Sequence, residues 1–170
     1  MPLERDTVGL LSYLRQNKPT RDRIAAGPDR TMLYAGRFAR PAWQELEALR
    51  RSRPDLHDWE LLPDVLRRLP APDGDGTLLA HVERLCTRVP WRPDGFVVWR
   101  ALSGILAGNA VGRVRFYVAS EVARADKVLA ATELWVLRRN PAVDPLTREV
   151  VDYLIDCVQR RQTDINFALT

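Results

Sequence analysis

The stretch that most limits what this chain can become is residues 95–112, GFVVWRALSGILAGNAVG, in which Arg100 is the only charge. A run this apolar has to be covered on nearly every side, so the rest of the chain must supply the cover. Its first part, from Phe96 to Ala107, reads as a buried helix. Ala101, Ser103, Gly104 and Ala107 are small and would let a neighbour pack closely. Gly104, Gly108 and Gly112 recur every four residues, which on a helix is a close-packing pattern rather than a phosphate cradle. Gly108 and Asn109 predict a left-handed stop, and Gly112 a second bend. The run is too interrupted for a membrane span.

The cover is predicted to be helical. Asp6 opens a helix to about Gln16, with Val8, Leu11 and Leu14 on one face. Thr77 caps a helix in which Leu78, Val82, Leu85 and Val89 recur at helical spacing, and Pro90 stops it. Asp144 and Pro145 open a last helix, 145–161, with Leu146, Val150, Tyr153, Leu154, Cys157 and Val158 as its apolar stripe. The tail after it is expected to fold Ile165 and Phe167 back onto the body. Residues 31–38 are ambiguous between helix and strand. Residues 70–76, PAPDGDG, read as a flexible loop.

Residues 113–137 carry two signals. Val114, Phe116 and Val118 alternate with Arg113, Arg115 and Tyr117, as in a half-buried strand. Residues 127–137 would be its hairpin partner, yet residues 120–139 also carry a broad helical stripe. The alternation favours a hairpin. The fold expected is therefore mainly α, with room for α+β: a single compact domain of short helices, residues 1–170, with a small β hairpin around 113–137. At 170 residues one domain with its own core is the expectation. An apolar share of 46% with 28% charged residues excludes a disordered chain.

The net charge of +4 raises the question of nucleic acid. Of 26 basic residues only Lys18 and Lys127 are lysines, and the arginines interleave with acids instead of clustering. Phosphate tracking needs several contacts made together, so nucleic acid is the partner least supported. The chain starts without a signal-peptide pattern. Cys86 and Cys157 show no paired spacing, which fits a reduced, cytoplasmic protein.

Chemical templates are sparse. Asp73-Gly74-Asp75-Gly76 resembles the start of a calcium loop, but its twelfth position is Arg84, not an acid. His57 and His81 lie in no metal-ligand spacing, so no metal and no cofactor are expected. Ser103 sits in ALSG, which lacks the glycine a nucleophile elbow needs before the serine. Cys86 and His81 are five apart, on different helix faces.

What remains is a set of residues around the apolar run. Glu133 is a carboxylate in an otherwise apolar stretch, LAATELWVL, and needs a partner or a raised pKa. Arg100 is the matching cation, so an Arg100–Glu133 pair is expected, with Arg113 and Arg115 as other partners for the acid. Trp91, Arg92, Trp99 and Tyr117 supply the aromatic and arginine anchors typical of interfaces. Ser103 and Asn109 complete the candidate ligand- or partner-binding residues.

Two functions follow. The first is a cytoplasmic protein-binding or regulatory module acting through a Trp/Arg-bearing surface, with another protein or a second copy of the chain as partner. The other is a small metal-independent enzyme or ligand binder with a pocket formed by residues 91–109 and Glu133.

Overall fold

The computed structural model describes residues 2–35, 39–118 and 128–160. The tail with Ile165 and Phe167 lies outside the described residues, as does the segment 119–127. The chain runs α1 (Arg5–Gln16), α2 (Lys18–Arg23), β1 (Thr31–Ala35), α3 (Ala39–Ser52), a single turn at Pro54–Leu56, then α4 (Leu62–Arg67) and α5 (Leu78–Arg88). A wide turn, Trp91–Gly95, leads into α6 (Phe96–Gly108), followed by β2 (Val114–Val118). A second wide turn, Leu129–Glu133, runs into α7 (Leu134–Arg139), and α8 (Pro145–Gln159) follows. The protein is thus mainly α with a small sheet, folded as one compact domain.

Thr77 and Asp144 cap as their types require, while α1 starts at Arg5 with Glu4 at its cap position and Asp6, the expected opener, inside its first turn. The Thr77 hydroxyl accepts from the Ala80 amide at 3.1 Å and starts α5. The Asp144 carboxylate accepts from the Thr147 amide at 2.7 Å and starts α8, with Pro145 at its first position. Loop 70–76 closes on itself, the Ala71 amide donating to the Gly76 carbonyl at 3.0 Å.

The core gathers on α6. Val98, Leu102, Leu106 and Ala107 are fully covered. α1 presents Thr7, Leu10 and Leu14 inward, not Val8 and Leu11; Val8 is 47% exposed. Two overlapping stripes share Leu14, and packing on α6 uses the one through Leu10. Gly104 and Gly108 do serve close packing. A Cβ on Gly104 would lie 3.2 Å from the Thr132 methyl, and one on Gly108 3.6 Å from Val136.

The left-handed turn falls one step later than expected. Asn109 ends α6 in ordinary right-handed geometry, while Gly112 has φ +72°. A side chain at Gly112 would collide with the Asp29 carboxylate, which accepts from the Arg113 amide there.

The hairpin around 113–137 does not form. Its first arm is a strand, β2, with Val114, Phe116 and Val118 buried as the alternation predicts. Its second arm is helical from Leu129 to Arg139. β2 instead pairs in parallel with β1, Thr31 opposite Val114 and Ala35 opposite Val118. Parallel pairing needs a long crossover, and α3 to α6 provide it. Leu33, Val114, Phe116 and Val118 join the main core, while Met32 belongs to a second cluster with Leu46, Leu56 and Leu61. The two-stranded sheet is the partition between them.

Candidate functional site: a cavity beside the sheet

Three helical faces and one strand edge meet around a cavity of about 520 Å³. On α5 the core stripe through Leu78, Val82 and Leu85 leaves Glu83, Cys86 and Thr87 on the neighbouring face, and these three line the cavity. On α6, Trp99 and Ser103 are four apart and point the same way, into it. Trp91, in the wide turn before α6, lies at its edge and is 51% exposed. β1 contributes Met32, Leu33 and Tyr34; the start of α4 contributes Leu62 and Pro63. Val128 and Glu133 come from the second wide turn and the residue before it. Wide helical turns recur at functional sites in proteins, and the one at Leu129–Glu133 borders this cavity, as does the kinked bend at Trp91–Gly95, where Arg92 is extended.

Glu133 is the site's unusual group. It is 5% exposed. Burial pushes its carboxyl from the ordinary 4.5 up to about 7, and a hydrogen bond from Ser103 pulls the other way. Tyr34 is raised too, first by burial, then by the charge of Glu133 and that of Asp64. Its phenol therefore stays protonated and available as a donor. Burial raises the Cys86 thiol as well, against a hydrogen bond from Trp99, so it is a neutral thiol rather than a nucleophilic thiolate.

Of the residues singled out in the sequence, Trp91, Trp99, Ser103 and Glu133 are brought together. The other four have different surroundings. Arg100 is exposed and donates to the Thr132 hydroxyl at 2.7 Å. Thr132 and Glu133 are neighbours on one helix, so their side chains diverge, and the expected Arg100–Glu133 pair is not formed. Arg113 and Arg115 do not take its place. The Arg113 charge acts on Asp144, and the Arg115 guanidinium lies 3.6 Å from Asp55 and over the Trp59 ring. Asn109 is a staple, its amide donating to the Arg21 and Ile24 carbonyls at 2.8 and 3.1 Å. Tyr117 faces away from the main core and donates to Glu45 at 3.2 Å. Arg92 stacks over Phe96, 4.1 Å from the ring centre.

Tyr34, Cys86, Glu83 and Thr87 were missed. The α5 residues had a legible signal, a second helical stripe beside the apolar one. Tyr34 had none, because its strand's partner lies far away in the chain. Among the described residues no group of three His, Cys, Asp or Glu side chains is placed to hold a metal, and no helix is long and apolar enough to cross a membrane.

Comparison with protein-family models, with curated proteins and with solved structures finds no match to this chain.

Proposed function

We propose that this protein is a binder of a small, largely apolar ligand, which it takes into the cavity between β1, α4, α5 and α6. The observation that carries the reading is Glu133, a carboxyl buried in an aromatic-lined cavity of about 520 Å³. That volume is within the range of small-molecule sites, and such sites combine apolar walls with few fixed polar groups. Here those groups are the Glu133 carboxyl, the Ser103 and Tyr34 hydroxyls and the Cys86 thiol.

Binding is favoured over covalent catalysis. Cys86 is held neutral, and Ser103 has an acid, not a histidine, beside it. Among the described cavity residues, Glu133 has an acidity suited to proton exchange near neutrality. Both cysteines are free, which supports the cytoplasm as its compartment.

The test is to fill the cavity. Ser103→Phe should abolish quenching of tryptophan fluorescence by a neutral arene such as naphthalene methanol, while a cooperative melt is retained. Undiminished binding by a folded Ser103→Phe variant would sink the assignment. The protein-docking reading has one observation of its own, the exposure of Trp91 at the cavity edge. It requires a self-associated or partner-bound species that Trp91→Ala dissolves, and sedimentation would separate it from ligand binding.

A further inference from the structure

The charges on the described residues that line the cavity have one sign. Among its described lining residues only Glu83 and Glu133 are charged; no Arg, Lys or His is among them. This is unexpected in a chain with 26 basic residues and a net charge of +4. Arginines are used lavishly elsewhere: Arg50 holds Glu47 and Asp64, Arg68 holds Glu60, and Arg115 lies by Asp55. No described cation forms an ion pair with Glu83 or Glu133. Asp64, the other acid near Tyr34, is already paired with Arg50 at 2.8 Å.

A buried carboxylate with no counter-charge among the described residues is costly unless something brings one. The walls beside it are the faces that attract cations: the Trp91, Trp99 and Tyr34 rings. We propose that the ligand is a small monocationic amine with an apolar or aromatic body, its ammonium seated against Glu133 and its body on the Trp91 and Trp99 rings. This rests on the ligand-binding reading above. Glu83 stands at the exposed rim and draws the cation in, Glu133 takes its charge, and Ser103 and Tyr34 are the neutral polar groups around it.

Three ligands of one shape separate the charge from the shape: 2-(1-naphthyl)ethylammonium, 2-(1-naphthyl)ethanol and 1-naphthylacetate, titrated calorimetrically into the full chain at pH 8. The ammonium should bind at least about tenfold tighter than the alcohol, and the carboxylate weakest. Glu133→Gln should bring ammonium and alcohol within about threefold of each other, with a retained cooperative melt showing that the variant is folded. Glu83→Gln should produce a smaller loss. Alcohol binding without an ammonium advantage, or an advantage that survives Glu133→Gln, overturns the amine proposal and leaves ligand binding standing. Binding of none of the three overturns both.

Discussion

Glu133 ties the stability of this protein to pH in an unusual direction. Most carboxyls are more acidic folded than unfolded; this one is less acidic, because burial disfavours its charged form. The groups facing it do little to reverse that. Tyr34 and Ser103 are neutral, Cys86 is a neutral thiol, and Asp64, the other acid that acts on Tyr34, is held by Arg50. The folded chain therefore holds a proton that the unfolded chain releases between pH 4.5 and about 7. The stability attached to that proton is complete below 4.5 and is lost as pH rises through about 7. Moving a carboxyl over this interval is worth roughly 3 kcal/mol. Glu133→Gln cannot ionise, so we expect it to melt above wild type by roughly 5–10 °C at pH 8, with the gap closing towards pH 4.5. A gap that is the same at both ends, measured by calorimetry, would show that Glu133 is solvated. As a residue Glu133 was legible, being a charge in an apolar run. What hid its partners was rotation. Arg100 is one turn face away on α6; of the groups that do lie beside Glu133, Ser103 was already a candidate, while Tyr34 is on a strand that cannot be seen from its own neighbours.

Elements with their own punctuation were readable and elements defined by a distant partner were not. Thr77 and Asp144 announce α5 and α8, and both hydroxyl and carboxylate are found on the amides they should cap. β2 was readable from its alternation, because Val114, Phe116 and Val118 face the core whatever strand lies beside it. β1 was not, since a parallel partner across four helices leaves no turn signature. Residues 127–137 suit a strand arm or a helix because their small apolar residues fit either period; the glycines of α6 decide it over Leu129–Arg139, by admitting a helix. That contact can be measured. Gly108 sits 3.6 Å from Val136 and tolerates a methyl, so Gly108→Ala should gain up to about 0.5 kcal/mol of helix propensity. Gly104 is closer, with a Cβ only 3.2 Å from Thr132, and Gly104→Leu should lose about 1–3 kcal/mol by overpacking. Urea unfolding of the pair gives the ordering, and a Gly104→Leu protein as stable as wild type would mean that α6 and the Leu129–Glu133 turn are not in contact.

On the scale of the molecule, the sheet joins the two stretches of chain on either side of the loop at 70–76. The sequence before the loop supplies β1 and the second cluster through Met32, Leu46, Leu56 and Leu61; the sequence after it supplies α6 and β2. β1 and β2 exchange their backbone bonds across that boundary, and the main core draws Leu10, Leu14, Leu33 and Leu66 from one side and Leu102, Phe116 and Leu154 from the other. The cavity is built the same way, with Tyr34 and Leu62 before the loop and Trp99 and Glu133 after it. Each half alone would leave a face of buried leucines in water, and a chain of that length has little surplus burial to offset the entropy of ordering it. We therefore expect residues 1–72 and 73–170, expressed separately, to lack a cooperative melt and tryptophan quenching by an arene. Mixed together they should recover both, because the loop closes on itself through Pro70, Ala71, Gly76 and Thr77 and contributes little to either core. A cooperative transition in either fragment alone would instead make the chain two domains and place the cavity at their interface.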